Sequence, residues 1–292
     1  MKTTNLIFDT INEKKTSTDF IDLYNEATED YEFWSKDFNM HFGYYIPFKT
    51  NFLQRDSMLN EMNKQVFERL KLPESNALLL DFGCGMGSTI LQGLKKTKTL
   101  KAIGLTLSDF QVNEGNKRLQ NYNGVIIKEN YNKTSFKNKL VDGVCAIESL
   151  CHSGHSKESL QEAYRVFKKG GRFVVADAFL KKDKQHLCNG SNYCYQQLCK
   201  GWDLEGLGNI NRVKEDLNVI GFSKIKIEDI SFRVAPSVLH VPFAITGFIL
   251  KKIFKREKLK PQSLNNLKGS FFTLISGLHM KSFGYYLITA EK

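Results

Sequence analysis

The sequence lacks the features that would place the chain in several common classes. Residues 1–5 are not followed by an apolar core of the length that a signal peptide needs, so we expect a cytoplasmic protein. No internal repeat and no low-complexity linker divides its 292 residues. That length suffices for one large α/β domain with an added cap, and 41% hydrophobic and 25% charged residues are ordinary for a soluble globular protein.

Cysteine is scarce, and its spacing is unlike that of a metal site. The six cysteines lie at positions 84, 145, 151, 188, 194 and 199. In a cytoplasmic protein we interpret them as reduced thiols. His186, Cys188, Cys194 and Cys199 could be read as a zinc cluster, but they lack the usual C-x-x-C pair. We therefore expect no metal.

The charge balance is basic, with a formal net charge of +11. One interpretation is a solvated basic surface. The other is an anionic substrate or an anionic membrane surface as partner. No nucleic-acid-binding motif accompanies the charge, so we do not expect nucleic acid as a partner.

The most informative stretch is LLLDFGCGMG at residues 78–87. An apolar run that ends at glycines indicates a parallel strand buried on both faces. The glycines permit positive φ and a close approach of backbone to ligand. In a doubly wound sheet the ligand crevice lies beyond the carboxyl ends of the strands, so Asp81 is expected at its mouth. A dinucleotide fingerprint would need a third glycine at the position of Ser88.

The D-x-G-x-G-x-G form of this loop resembles motif I of the class I S-adenosylmethionine (SAM)-dependent methyltransferases. The resemblance implies an α/β fold, with a Rossmann-like seven-stranded, mostly parallel sheet, helices on both faces and a late antiparallel strand. It implies SAM as cofactor, with Gly83, Gly85 and Gly87 around its methionine end. Asp81 would orient that loop and bind the amino group of the ligand through water. A glycine-rich turn without function is the alternative.

A second motif follows the strand predicted over 102–106, where nucleotide-binding folds usually place an acid for the ribose hydroxyls. The sequence GLTLSDFQ has no acid at that place. It resembles the G-L-T-L-S-x-x-Q motif of cyclopropane-fatty-acid synthases and sterol methyltransferases. The resemblance implies that Thr106, Leu107 and Gln111 hold the adenosine half of SAM. The alternative for Gln111 is an exposed helix residue.

Asn130 and Tyr131 follow the strand predicted over 125–127, where methyltransferases place the adenine ring. Related families usually have an acid at the position of Asn130. Its amide oxygen could still accept a hydrogen bond from the adenine amine. Tyr131 could pack on the face of the ring.

The strand predicted over 140–148 runs into the sequence AIESLCHSGH. This stretch resembles A-I-E-A-x-C-H-A of the sterol C-methyltransferases. The resemblance places Glu148 beside the methyl donor, where a carboxylate can stabilise positive charge or take a proton. His152 would act as the base or orient Glu148. The alternative is a helix-capping pair, and His155 is expected to be exposed.

Residues 1–72 are predicted as an N-terminal helical lid, with helices over 17–38 and 51–71. Between them lies an aromatic-rich segment that contains His41, a third catalytic candidate. Its sequence NMHFGYY resembles a segment ahead of motif I in cyclopropane synthases and small-molecule C-methyltransferases. Aromatic faces attract a sulfonium cation, and a lid keeps water away from the methyl group. A packed helix–loop junction is the alternative.

Residues 73–292 are predicted as the methyltransferase domain, with cap insertions near 180–209 and 234–280. The second insertion begins with an apolar stretch that two prolines break and that is shorter than a spanning helix. The basic residues Lys251, Lys252, Lys255, Arg256, Lys258 and Lys260 follow it. Three interpretations remain open: the wall of an acceptor pocket, a surface helix on anionic lipid, and a core helix with a solvated basic tail.

The predicted function is methyl transfer to a small lipophilic acceptor, which is isoprenoid, sterol-like or quinol-like. Carbon methylation of an alkene makes a carbocation that aromatic faces stabilise, and a base must then remove a proton. This preference rests on the resemblance to the sterol C-methyltransferase, tocopherol methyltransferase and cyclopropane synthase group. The alternatives are an O- or N-methyltransferase of a polar metabolite and a non-catalytic partner protein. An isoprenyl diphosphate would also suit the basic charge.

Overall fold

The computed structural model describes residues 34–256, 258 and 261–292, so most of the helix predicted over 17–38 lies outside it. Its strands are β1 (Leu78–Phe82), β2 (Lys101–Thr106), β3 (Gly124–Lys128), β4 (Val141–Ile147), β5 (Phe167–Leu180), β6 (Ser223–Asp229) and β7 (Phe283–Glu291). They form one seven-stranded sheet in the order β3-β2-β1-β4-β5-β7-β6. Strands β1 to β5 pair parallel, and β7 is antiparallel to both neighbours. The predicted Rossmann-like fold class is confirmed.

Helices cover both faces of this sheet. They are α1 (Arg55–Leu70), α2 (Ser88–Lys96), α3 (Asp109–Leu119), α4 (Lys157–Val166), α5 (Asn189–Trp202), α6 (Ile210–Ile220), α7 (Ser231–Val238), α8 (Val241–Phe254) and α9 (Pro261–Leu278). Short 3-10 turns at Leu150–Ser153 and Lys184–His186 follow β4 and β5. Helix α4 ends at Val166, because Phe167 pairs with Val141 and belongs to the sheet.

Helix α1 packs against the sheet, although it falls within residues 1–72, which we predicted as a lid. Met58, Met62 and Leu70 are fully buried on one face of α1. Their spacing is that of an apolar helical stripe, and burying each such side chain contributes about 1.5–3 kcal/mol. The domain boundary at the end of that range stays a prediction. The part that covers the loop after β1 is residues 34–46, here called the lid segment.

The lid segment lies across the glycine loop. Arg118 in α3 donates from Nη2 to the carbonyl oxygen of Asp37 at 2.7 Å, which ties the segment down at one end. Met40 reaches so far over the loop that a Cβ on Gly85 would lie 3.0 Å from its Sδ. A lid over a cofactor bound at the glycine loop would lie at this position.

Helices from the two insertions form a cap beside the lid segment. Helix α5 comes from the first insertion and packs on α9 of the second, where Trp202 covers Gly269 so closely that a Cβ there would lie 2.3 Å from the indole Cδ1. Helix α9 falls within the cap insertion predicted near 234–280, and Leu267, Phe271 and Leu274 recur in it at helical spacing. Helices α7 and α8 follow β6 in the chain and precede α9.

We expect Gly43→Ala to destabilise the protein, because Gly43 touches α1 without room for a side chain. A Cβ there would lie 2.4 Å from Met58 Cβ and 2.5 Å from the Met58 carbonyl carbon. The backbone cannot give way easily, so the free energy of unfolding should fall by about 1–3 kcal/mol in urea denaturation. The control is Gly277→Ala in α9, where a Cβ meets nothing within 4 Å. Equal midpoints for the two variants would contradict this packing.

Candidate active site

A cavity of about 620 Å³ lies between the sheet, the lid segment and the cap. It opens where the strand order reverses between β1 and β4, which is where open α/β sheets bind ligands. The predicted site residues that line it are Asp81, Gly83, Gly85, Thr106, Leu107, Gln111, Asn130, Tyr131, Glu148, His152 and His41. The remaining one, Gly87, is not among the lining residues and is the N-cap of α2. The structure thus brings together residues that are far apart in the sequence.

The glycine loop needs its glycines for conformation and for space. Gly83, Gly85 and Gly87 have φ of +74°, +54° and +73°, in the left-handed region that disfavours side chains. A Cβ on Gly83 would also lie 2.4 Å from Ser149 Cβ. Main chain without side chains therefore forms this wall of the cavity, as close binding of a cofactor requires.

Asp81 lies at the floor of the same wall and is 2% exposed. Burial raises its pKa to about 7, while a hydrogen bond with Cys145 acts in the opposite direction. A cationic amino group that arrives beside this carboxyl favours its ionised form. The position and chemistry of Asp81 thus fit the amino group of SAM.

The motif after β2 is folded around Gln111, which is 2% exposed. Its backbone N–H donates to Ser108 Oγ, the cap of α3, at 3.2 Å. Its side-chain Oε1 accepts from the Thr106 hydroxyl at 2.5 Å. The alternative interpretation as an exposed helix residue is therefore wrong, because this local network turns the side chain into the cavity wall.

The residues after β3 are arranged differently from the expected adenine site. The Oδ1 atom of Asn130 accepts from the backbone N–H of Asn132 at 2.9 Å. The oxygen that was expected to accept from the adenine amine is thus already hydrogen-bonded within a turn. The ring of Tyr131 stacks on Phe82 at 5.4 Å between centroids. The Tyr131 hydroxyl donates to the carbonyl oxygen of Ser149 at 2.8 Å.

Glu129 is a site residue that the sequence reasoning passed over. One carboxylate oxygen accepts from the backbone N–H of Ser135 at 2.5 Å. The other, Oε2, is buried on the cavity wall without a hydrogen-bond partner in the described part of the chain. An unsatisfied buried carboxylate oxygen is costly, and a hydroxyl or amine of SAM would satisfy it. The signal was present as an acid directly after the strand.

Glu148 is the acid where the polar and apolar parts of the cavity meet. It follows β4 in a left-handed conformation with φ of +47°. Its Oε1 accepts from the backbone N–H of Phe42 at 2.6 Å and from the Tyr285 hydroxyl at 2.8 Å. Burial raises its pKa to about 8, although both hydrogen bonds lower it. These partners are not helix N–H groups, so the helix-capping alternative is wrong for Glu148.

The three histidines near Glu148 have different surroundings. His152 lines the cavity, and burial lowers its pKa, which favours the neutral ring. His41 contacts the Phe42 carbonyl oxygen at 2.8 Å and Asn63 Oδ1 at 3.0 Å through its two ring nitrogens. Both nitrogens of His41 are thus used to hold the lid segment.

His155 was expected to be exposed, and this was wrong, because it is 4% exposed. A left-handed turn at φ of +56° folds it back under the cap. Its Nδ1 accepts from the backbone N–H of Gly208 at 3.0 Å, and its Nε2 lies 3.4 Å from Asp177 Oδ2. The ring packs on Phe179, so His155 belongs to the support behind the cavity.

The other half of the cavity is apolar and comes from the cap. Its wall includes Leu198, Trp202, Leu204, Leu207, Val234, Ala235, Val238, Leu239, Leu274, Leu278, Met280 and Phe283. A smaller cavity of about 90 Å³ continues from Glu148 and Trp202 between α8 and α9. Of the described residues, no lysine or arginine lines either cavity. Nor do they contain a group of three or more His, Cys, Asp or Glu that could hold a metal ion.

Comparison with known proteins finds similarity to methyltransferases. The family of methyltransferase domains matches residues 80–175. A 24-methylenesterol C-methyltransferase of Arabidopsis thaliana is 26% identical over 73% of this chain and 58% of its own length. An O-methyltransferase of Aspergillus sclerotiorum is 27% identical over 79% of this chain and 81% of its own length. A cyclopropane synthase structure from Mycobacterium tuberculosis, 14% identical, superposes with a TM-score of 0.78 over 96% of this chain and 100% of that chain.

Residues 80–175 match a methyltransferase domain, and the sheet and the glycine loop around it fit SAM as cofactor. The sterol C-methyltransferase is similar to this chain in sequence, and the cyclopropane synthase is similar in fold. The alignment spans 58% of the length of the sterol methyltransferase. The side-chain-free loop, buried Asp81 and the unsatisfied oxygen of Glu129 fit SAM, which supplies an electrophilic methyl group when bound.

Glu129→Gln should weaken SAM binding without unfolding the protein. The amide keeps an oxygen for the backbone N–H of Ser135 but loses the charge of the unsatisfied oxygen. Hydrogen bonds to a charged group contribute more than neutral ones, so we expect about a tenfold loss of affinity in calorimetry. Glu114→Gln, a partly exposed change in α3 at a carboxylate paired with Lys117, is the control. Unchanged affinity in Glu129→Gln would exclude Glu129 from the SAM site.

The stability of the protein without ligand should fall as pH rises. Burial raises the pKa of Glu148 to about 8 and that of Asp81 to about 7, whereas both are about 4 in an unfolded chain. The folded state keeps protons that the unfolded chain releases. The stability that the raised pKa values of Asp81 and Glu148 contribute is therefore fully present below about pH 4. It is lost as pH rises through about 7 and 8.

The measurement is the urea midpoint between about pH 6 and about pH 9. In Glu148→Gln the urea midpoint should decline less as pH rises, because an amide cannot ionise. Glu158→Gln, an exposed carboxyl in the first turn of α4, should keep the wild-type slope. A decline that is equally steep in Glu148→Gln would exclude burial of Glu148 as its source.

Proposed function

We propose that the protein transfers the methyl group of SAM to a small, uncharged, lipophilic acceptor, and that the methylated atom is an alkene carbon. The observation that carries this proposal is the apolar half of the cavity with Glu148 at its inner end. Burial of apolar area contributes about 25 cal/mol per Å², so the cap wall favours an isoprenoid or sterol-like acceptor. The sterol methyltransferase relative supports the same class.

The charges on the wall argue against an anionic acceptor. Its acidic residues are Asp81, Glu129, Glu148, Asp177 and Glu205, and no described lysine or arginine is among the lining residues. A diphosphate in this cavity would be desolvated beside carboxyl groups without a lysine or arginine among the described lining residues to balance its charge. An uncharged acceptor carries no such cost, so the basic residues elsewhere in the chain do not argue for an isoprenyl diphosphate.

Glu148 is proposed to remove the proton that completes carbon methylation. A carboxyl with a pKa of about 8 is poised to hold or release a proton near neutral pH. The Phe42 N–H and the Tyr285 hydroxyl fix its position. Its negative charge also stabilises a carbocation in the dry half of the cavity. The closed lid segment keeps water from competing for that cation.

A second candidate is methylation of a hydroxyl on an apolar acceptor. The fungal O-methyltransferase favours it, because the alignment covers 81% of that protein against 58% of the sterol methyltransferase. Glu148 would then take the hydroxyl proton. The two candidates share the acceptor class and the base, and they differ in the atom that receives the methyl group.

The test is incubation with methyl-labelled SAM and a lipid extract. We expect label in the organic phase, and NMR of the product distinguishes a new C–CH₃ from an O–CH₃ group. Glu148→Gln should reduce transfer by about 100-fold or more while SAM affinity in calorimetry is kept. The exposed Glu158→Gln is the matched control.

Three results would contradict the proposal. Label confined to the aqueous phase would favour a polar metabolite as acceptor. SAM binding without transfer to any fraction would favour the non-catalytic alternative. A Glu148→Gln variant with the wild-type rate would exclude Glu148 as the base.

A further inference from the structure

Helix α8 is apolar on both of its faces. Val241 is buried in the core, and Phe248 is buried beside the smaller cavity between α8 and α9. The opposite face, however, carries Phe243, Ile253 and Phe254, which are 78%, 63% and 83% exposed. An ordinary surface helix presents polar residues there. The outward side of α8 thus exposes large apolar side chains beside the polar Thr246 and Lys251.

A loop beside α8 extends this apolar surface. Phe48 is fully exposed, and Leu53 is 73% exposed. The loop is tied to the start of α8, because His240 Nε2 lies 2.7 Å from the carbonyl oxygen of Phe52. We name the outward side chains of residues 47–53 and of α8 the docking face. Exposed apolar surface of this extent marks an interaction site.

The charge of residues around the docking face indicates what kind of partner it binds. Residues 230–290 contain nine lysines and arginines and one acid, Glu257. Lys255 and Arg256 are exposed just beyond the end of α8. Apolar side chains bordered by basic ones are the pattern of a helix that lies in the interface of an anionic membrane. A second copy of this chain would instead bring two basic faces together.

We propose that the docking face binds an anionic lipid bilayer, with α8 lying in the plane of the interface. By length and composition the 24 residues Ser231–Phe254 could cross a membrane. The stretch is divided between α7 and α8, however, and Val234 and Val241 pack into the core. A spanning helix needs about 20 continuous residues surrounded by lipid. The helix therefore lies on the membrane rather than crossing it.

The cavity opens beside the docking face. Phe232, Leu239 and Leu278 line the cavity and are 76%, 60% and 76% exposed, so they form its mouth. Leu239 is separated from α8 by His240 alone. An acceptor dissolved in the bilayer can enter here without crossing water. This last step rests on the proposed function, whereas membrane binding itself does not.

The experiment is co-sedimentation of the full chain with vesicles, without SAM or acceptor. Vesicles of phosphatidylcholine alone are compared with vesicles that contain about one third phosphatidylserine. We expect the protein to bind the anionic vesicles more tightly by about tenfold or more and to lose this preference in high salt. Phe243→Ser with Phe254→Ser, and Lys255→Glu with Arg256→Glu, should each weaken binding by about tenfold or more.

Matched controls lie on α6, which packs on the opposite side of the sheet. Val219→Ser removes an apolar side chain that is 73% exposed, and Lys214→Glu reverses an exposed charge. Both should bind vesicles like the wild type. SAM affinity, measured by calorimetry, verifies that the double variants are folded.

Weak binding of the wild type to anionic vesicles, or equal binding by the docking-face variants, would overturn the proposal. So would a dimer in gel filtration that Phe243→Ser with Phe254→Ser dissociates, because the partner would then be a second copy. Failure of methyl transfer with intact vesicle binding would count against the proposed function alone. The two proposals can therefore fail separately.

Discussion

The site depends on the buried carboxyl of Glu148 and the two donors that face it. The Phe42 N–H comes from the lid segment and the Tyr285 hydroxyl from β7, so one carboxyl joins three distant parts of the chain. A buried carboxyl without donors would be costly. The lid segment must therefore be closed for the charged form of Glu148 to be satisfied. Closure of the site and the protonation state of its acid are linked through the same hydrogen bond.

The distribution of charge explains a basic protein with an acidic cavity. The net charge is +11, yet no described lysine or arginine lines the cavity. Residues 230–290, with nine lysines and arginines and one acid, carry most of this excess, and Lys255 and Arg256 are exposed just beyond the end of α8. Net charge thus describes what the surface attracts. The cavity wall is acidic and apolar, in contrast to the basic surface, and it is this wall that indicates the chemistry of the acceptor.

Motifs made of residues close in sequence carry the family resemblance, and that resemblance predicted the sheet and the position of the glycine loop. What was missed depends on contacts between distant segments. Tyr285 lies 137 residues from Glu148, and nothing in the last strand indicates which carboxyl it will meet. His155 was placed at the surface because the cap that covers it comes from residues far along the chain. Glu129 was overlooked because the family pattern drew attention to its neighbour.

Burial in the cap explains three properties of the site together. Removing water from Glu148 raises its pKa to about 8, which suits it to exchange a proton near neutral pH. The same removal of water makes the wall favourable for an apolar acceptor and unfavourable for an anion. In the proposed reaction it would also strengthen the attraction between the Glu148 carboxylate and positive charge that develops on the acceptor. An acid beside an apolar wall is therefore a coherent arrangement for methylating a neutral lipophilic molecule.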